Sequence, residues 1–172
     1  IKNGDIVSLD AGLIYKGYHS DAARTHGIGE ISDEAQKLID VTRQSFFEGI
    51  KNAKPGKHLV DIARGIQTYA ENNHFSVVRD LVGHGIGTSL HEEPEIPNFV
   101  RLRRGAKLQK GMTLAVEPMI NAGTYDVWWM DDDWTVVTRD GRLSAHYENT
   151  IAITEDGCEI LTMLPEEFAE VK

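Results

Sequence analysis

Ile6-Val7-Ser8-Leu9-Asp10-Ala11-Gly12-Leu13-Ile14-Tyr15-Lys16-Gly17-Tyr18-His19-Ser20-Asp21-Ala22-Ala23-Arg24-Thr25 is the stretch from which the fold is read. Ile6 to Ile14 is apolar and strand-like, Tyr15-Lys16-Gly17-Tyr18 is a turn with its glycine, and His19 to Thr25 reads as the returning strand of a hairpin. Asp10 and Asp21 interrupt the two arms, although Asp is depleted in strand interiors. A turn centred near Lys16 brings them nearly opposite each other, about 5 to 8 Å apart. Two buried carboxylates at that range persist only with a shared proton or a cation between them. The alternative is that one or both face solvent on an edge strand.

Working outward, Ala35, Leu38, Ile39, Thr42, Phe46 and Ile50 recur at helical spacing, with Asp33 as cap and Pro55-Gly56 as stop. A second helix is expected over Val60 to Asn72, with Ile62, Ala63, Ile66 and Ala70 as its apolar stripe. A short strand near Phe75 to Val78 precedes the Gly-rich turn Gly83-His84-Gly85-Ile86-Gly87 and an irregular loop as far as Gly111. Thr113 to Glu117, Trp134 to Thr138, Ser144 to Thr154 and Glu159 to Leu164 have strand character. The expected class is α+β, helices against a mainly antiparallel sheet. No linker or internal repeat divides the chain, so residues 1–172 are expected to form a single domain.

The length of 172 residues fits the roughly 100 to 200 typical of one domain and is enough to bury a core. Hydrophobic residues at 41% and charged residues at 26% exclude a disordered or fibrous chain. A net charge of −9 without a basic cluster argues against a nucleic-acid partner. Cys158 is the only cysteine, so no intramolecular disulfide forms and the cytoplasm is the expected compartment. No apolar run approaches the roughly 20 residues of a membrane span. The chain starts at Ile1, already entering a strand, and is expected to begin inside a longer protein.

Four more residues join the two aspartates. His84 sits between glycines that allow close approach to its imidazole, and His91 follows seven residues on in His91-Glu92-Glu93-Pro94. Glu117 ends an apolar strand and precedes Pro118, while Glu148 heads Ile151-Ala152-Ile153. Taken singly, each histidine reads as a loop residue and each glutamate as a solvent-facing strand end. Collected, Asp10, Asp21, His84, Glu117 and Glu148 form an oxygen-rich donor set suited to Mn²⁺, Fe²⁺, Co²⁺ or Zn²⁺, and not to a structural cysteine-type site. Four carboxylates outnumber the charge of one divalent ion. Two ions sharing bridging carboxylates would balance them and activate a water, which is the design of a hydrolase.

Leu9-Asp10, His19-Ser20-Asp21, Gly83-His84-Gly85-Ile86-Gly87 through Pro94, Val116-Glu117-Pro118-Met119 and Tyr147-Glu148-Asn149-Thr150 resemble, in order and spacing, the methionine aminopeptidases. The step of 31 residues from Glu117 to Glu148 leaves no room for the long insertion of the second type, so the resemblance is to type I, as in bacteria. It implies the pita-bread (creatinase/aminopeptidase) fold, a curved antiparallel sheet flanked by helices. It also implies an N-terminally truncated chain, because the family has an upstream segment with a further catalytic histidine. By the same resemblance Asp10 chelates one of two divalent ions (Co, Mn, Fe or Zn), Asp21 and Glu148 bridge both, and His84 with Glu117 completes the other. Glu117 also acts as general base, His91 steadies the tetrahedral intermediate, and Trp134 is a wall of the methionine pocket or, read alone, a half-buried strand aromatic. Nascent polypeptide N-termini, met at the ribosome, are the implied partners, and the full-length protein is expected to be monomeric. The wording around the five ligands distinguishes this pattern from aminopeptidase P and prolidase, and five competent ligands distinguish it from a pita-bread module that has lost its chemistry and only binds peptides. Trp128-Trp129 and Asp131-Asp132-Asp133 are read as a solvated surface loop.

Overall fold

The structure is a computed structural model and describes residues 1–164. Strands β1 (Ile6–Tyr15) and β2 (Tyr18–Gly27) form the expected hairpin, followed by helices α1 (Asp33–Ile50) and α2 (Leu59–Asn72). The remaining strands are β3 (Ser76–Val77), β4 (Gly83–Gly85), β5 (Glu92–Ile96), β6 (Thr113–Val116), β7 (Met119–Asn121), β8 (Val127–Trp129), β9 (Val136–Thr138), β10 (Ser144–His146), β11 (Glu148–Ile153) and β12 (Cys158–Ile160). The main sheet runs β1-β2-β11-β6-β4-β5 with β12 attached to β11, and its pairs are antiparallel. A smaller sheet, β10-β7-β3, and the β8-β9 hairpin lie apart from it. The expected α+β class is what forms.

The helices cover one face of this sheet. Leu38 and Phe46 of α1 and Ile62 and Ile66 of α2 are fully buried, recurring at steps that keep them on one side of each helix. They share a hydrophobic cluster with Leu114 and Val116 of β6 and with Ile151 and Ile153 of β11. Because strand side chains alternate, Ala115 on β6 and Glu148, Thr150 and Ala152 on β11 point to the opposite face. The sheet therefore has an apolar helical side and a polar open side. Each fully buried Leu, Ile or Phe on the helical side contributes about 1.5 to 3 kcal/mol.

Several local expectations are corrected. The cap of α1 is Ser32, whose hydroxyl accepts from the Ala35 amide at 3.2 Å, and Asp33 is already helical. Gly83 to Gly85 is a strand where a turn was expected, and Glu92 to Ile96 is its partner where an irregular loop was expected. Glycine content and Pro94 hid this pair, because both residue types are poor strand formers unless a neighbouring backbone comes close. The single strand expected over Ser144 to Thr154 breaks at Tyr147 into β10 and β11, which belong to different sheets. Strand β9 starts at Val136, leaving Trp134 in the preceding turn, and Val127–Trp129 pairs with it. The last strand is Cys158–Ile160 and stops short of the expected Leu164.

The break at Tyr147 is held by aromatic packing. The Tyr147 ring lies 5.4 Å from that of Phe46 and 5.9 Å from that of Phe47, which are themselves 5.2 Å apart edge to face. Helix α1 thus fixes where β11 begins, and with it the position of Glu148. Phe46→Ala is expected to lower unfolding free energy by about 3 to 5 kcal/mol in a urea titration. A loss below about 1 kcal/mol would refute the anchoring role of this cluster.

Candidate metal centre

The strand register decides which side chains meet. Ala23 on β2 pairs with Asp10 on β1 and with Glu148 on β11, so these three form one row across the sheet. In the adjacent row Gly12 pairs with Asp21, Thr150 pairs with Ala115, and Ala115 pairs with His84. The rows join where the Asp21 amide donates to Thr150 Oγ1 at 2.9 Å and Thr150 Oγ1 donates to the Asp21 carbonyl at 3.0 Å. Asp21 is two residues from Ala23, Glu148 two from Thr150, and Glu117 two from Ala115, so both rows share the open face. Asp10 and Asp21 are accordingly diagonal neighbours offset by two residues. The nearly opposite placement expected from the sequence is corrected, because the turn centres between Lys16 and Gly17.

Small residues make room for the large ones. Ala23 lies between Asp10 and Glu148, and Ala115 lies between Thr150 and His84, so only small side chains separate the longer ones. Potential donor atoms of Asp21, His84 and Glu148 all lie within 4.8 Å of one another. His84 Nε2 is 3.6 Å from Glu117 Oε1. Its Nδ1 lies 2.9 Å from the Gly85 carbonyl, which only accepts, so Nδ1 carries the proton and Nε2 is left as the donor atom. The glycines beside His84 serve close approach: a Cβ at Gly83 would lie 2.3 Å from the Ala115 carbonyl oxygen, and one at Gly85 2.3 Å from that of Glu93. The His91 ring centroid is 4.3 Å from that of His84, and its side chain is exposed on the open face.

The electrostatics show the strain of gathering these acids. Glu148 is 1% exposed. Burial, followed by the charges of Glu117, Asp21 and Asp10, pushes its carboxyl up to about 9, against the opposing pull of Arg24. Burial and the neighbouring Asp10 also raise Asp21, opposed by His84 and by the Ala22 amide that donates to Oδ1 at 3.1 Å. Arg24 steadies the strand as well: its guanidinium donates to the Glu148 carbonyl at 2.6 Å and to Asn149 Oδ1 at 2.8 Å. The donor set fits hard or borderline divalent ions, since it offers carboxylate oxygens and an imidazole nitrogen within 4.8 Å of one another.

The five ligands inferred from sequence thus fall on one face, with His91 at its margin. Trp134 stands in the β8-β9 turn at 85% exposure, so the half-buried strand reading is corrected. His146 was missed. Its Nε2 is buried without a hydrogen-bond partner among the described residues and lies 3.6 Å from Glu117 Oε2, so Glu117 has an imidazole beside each oxygen. Thr150 was missed too. Its position two residues after Glu148, on the same strand face, was the available signal.

With this geometry in view, comparison with known proteins is specific. The model of metallopeptidase family M24 matches residues 1–155. A methionine aminopeptidase of Clostridium perfringens is 60% identical over 164 residues, covering 95% of this chain and 66% of that protein. Methionine aminopeptidase 1 of Bacillus subtilis is 52% identical over 162 residues, covering 94% of this chain and 65% of the relative. The chain thus spans just under two thirds of the length of these curated relatives. The crystal structure of methionine aminopeptidase from Rickettsia prowazekii superposes with a TM-score of 0.92 at 46% identity, over 95% of this chain and 66% of that one. Prolidase from Pyrococcus furiosus shares the fold alone, at a TM-score of 0.75 and 23% identity over 95% of this chain and 43% of that one. The fold is the pita-bread fold anticipated from the motifs.

The raised Glu148 carboxyl gives a signed expectation. In protein stripped of divalent ions, the folded chain keeps a proton there that the unfolded chain, with an ordinary value of 4.5, releases. The associated stability is complete below about pH 4.5 and is lost as pH climbs towards about 9. The melting temperature of the stripped wild type should therefore fall more steeply across that window than that of Glu148→Gln. Parallel slopes would contradict the assignment.

Proposed function

The chain belongs to metallopeptidase family M24, and we propose that it removes the initiator methionine from the N-termini of nascent polypeptides and peptides whose second residue is small. The convergence of Asp21, His84 and Glu148 within 4.8 Å, flanked by Asp10 and Glu117, is the observation that carries this reading. The named activity of the similar bacterial proteins supports the choice of substrate.

Asp10, Asp21, His84, Glu117 and Glu148 would hold two divalent ions drawn from Co, Mn, Fe or Zn, each residue offering a carboxylate oxygen or an imidazole nitrogen. When bound, the ions supply Lewis-acid charge for the scissile carbonyl and an activated water for its attack. Glu117 takes the proton released by the nucleophile on a carboxylate oxygen and returns it to the departing amine. His91, exposed beside His84, donates a hydrogen bond to the substrate carbonyl oxygen as that atom gains charge. Trp134 offers its exposed ring as one wall for the methionine side chain. Among the described residues no helix is long and apolar enough to cross a membrane. The reaction takes place in the cytoplasm, on chains emerging from the ribosome.

The reading is tested with a Met-Ala-Ser peptide and an Xaa-Pro peptide, each offered to protein supplied with Co²⁺ or Mn²⁺. Free methionine from the first and no cleavage of the second is the expected pattern, and the reverse would move the activity to the aminopeptidase P class. His91→Ala should lower kcat by about 10² to 10³ while the bound metal, measured by elemental analysis, stays at the wild-type amount.

A further inference from the structure

The two imidazoles that flank Glu117 are placed alike but are not chemically alike. His84 Nε2 is 3.6 Å from Oε1, and His146 Nε2 is 3.6 Å from Oε2. On His84 the Nδ1 proton is given to the Gly85 carbonyl, so Nε2 turns a lone pair towards the acids and can bind a cation there. His146 lies outside the group of Asp21, His84 and Glu148 whose donor atoms come within 4.8 Å of one another. Its Nε2 is nevertheless buried, with no hydrogen-bond partner among the described residues. A buried polar atom left unpaired is costly, and the group this one faces is Glu117 Oε2. An ionised carboxylate only accepts, so the tautomer that satisfies both atoms carries its proton on Nε2.

The backbone of His146 is fixed in the same way as that of a ligand. Thr25 Oγ1 accepts from the His146 amide at 2.8 Å and donates to the His146 carbonyl at 2.8 Å, as Thr150 Oγ1 does for Asp21. Ser8 Oγ lies 2.8 Å from Thr25 Oγ1, and since the Thr25 proton is already given to His146, the serine is the donor. Glu117 is held from its own side, where its carbonyl accepts from Asn98 Nδ2 at 3.1 Å. The two segments are then tied together, because His146 pairs with Met119 and the Tyr147 amide donates to the Pro118 carbonyl at 3.2 Å. With both backbones fixed, only side-chain rotation is needed to bring the imidazole and the carboxylate into contact.

Glu117 needs such a tether. Its charge is one of those that act on Glu148, so an unheld Glu117 carboxylate is driven away from the other acids. We propose that His146 is a positioning residue whose Nε2–H donates to Glu117 Oε2 and holds the carboxylate with Oε1 beside His84, where that oxygen is available to a cation. At 3.6 Å the pair is longer than a hydrogen bond, and it shortens when the site is loaded, as the hydrogen bonds of unliganded sites do. The inference deepens the proposed reaction and rests on it only where turnover is measured.

His146 also lines a hollow of about 240 Å³ with Arg24, His26, Asp40 and Arg43. The ring thus stands between that hollow and Glu117, and a replacement has to keep its volume. His146→Gln keeps a side-chain N–H, whereas His146→Leu keeps bulk and has no donor. Co²⁺ added to stripped protein and followed by its visible absorption is the first test. Wild type and His146→Gln are expected to give matching spectra, while His146→Leu shifts the bands and weakens binding about 10- to 100-fold with the same number of ions per chain at saturation. On the Met-Ala-Ser peptide His146→Leu should lower kcat by a similar factor with KM unchanged, and His146→Gln should recover most of the loss.

A wild-type spectrum and affinity in His146→Leu overturn the proposal. Loss of one whole ion per chain overturns it too, since His146 would then be a ligand. If wild type cleaves no peptide while the Co²⁺ results are as expected, the aminopeptidase reading fails and the tether stands. Melting temperatures check that the variants fold, and a measurement on wild type needs no variant at all. The long-range ¹H–¹⁵N spectrum of the Zn²⁺-loaded protein is expected to show the His146 ring proton on Nε2, and a proton on Nδ1 alone refutes the assignment.

Discussion

Four carboxylates on one face of a sheet repel one another, and the placement of the surrounding residues answers that repulsion. Asp10 and Glu148 occupy one row with Ala23 between them; Asp21 and His84 occupy the next with Thr150 and Ala115 between them. A bulky residue at Ala23 or Ala115, both fully buried, would push the neighbouring acids apart, which is electrostatically favourable but leaves no common point for a cation. Keeping the spacers small holds the acids within reach of one another. The consequence is visible in Glu148, whose burial and acidic neighbours hold its proton up to about 9 until positive charge arrives.

Holding such a face together requires that the strands not slide. The pairing of β2 with β11 is short, Glu148 with Ala23 and Asn149 with Ala22, and it is extended by side chains. Thr150 serves both backbone groups of Asp21, and Arg24 reaches across to the Glu148 carbonyl and Asn149 while its guanidinium lies 4.3 Å from the Tyr147 ring centroid. Tyr147 in turn is gripped by Phe46 and Phe47 of α1. The apolar side of the molecule thereby sets the register of the polar side, since a slip of β11 by one residue would turn Glu148 and Thr150 to the opposite face.

The carboxylate face and the helical layer lie on opposite sides of one sheet. The carboxylate face is open and made of strand side chains whose positions are set by the ladder. The helical layer carries a crevice built from the start of α2 and the loop that packs on it.

Much of this was legible in the sequence because the relevant signals are local. The hairpin with its two aspartates follows from alternation and a Gly-containing turn, the helices from spacing at three and four residues, and the ligand types from acids set in apolar strands. What sequence periodicity could not supply was long-range register. It did not show that Asp10 and Asp21 are diagonal, that Gly83 to Gly85 is a strand, that Tyr147 separates two sheets, or that His146 stands beside Glu117. By itself the sequence determined which residues can bind a cation, since donor chemistry belongs to each side chain. Only the tertiary structure decided which of them meet, because pairings across more than a hundred residues of chain are set by helix packing and sheet order, and no local pattern encodes them.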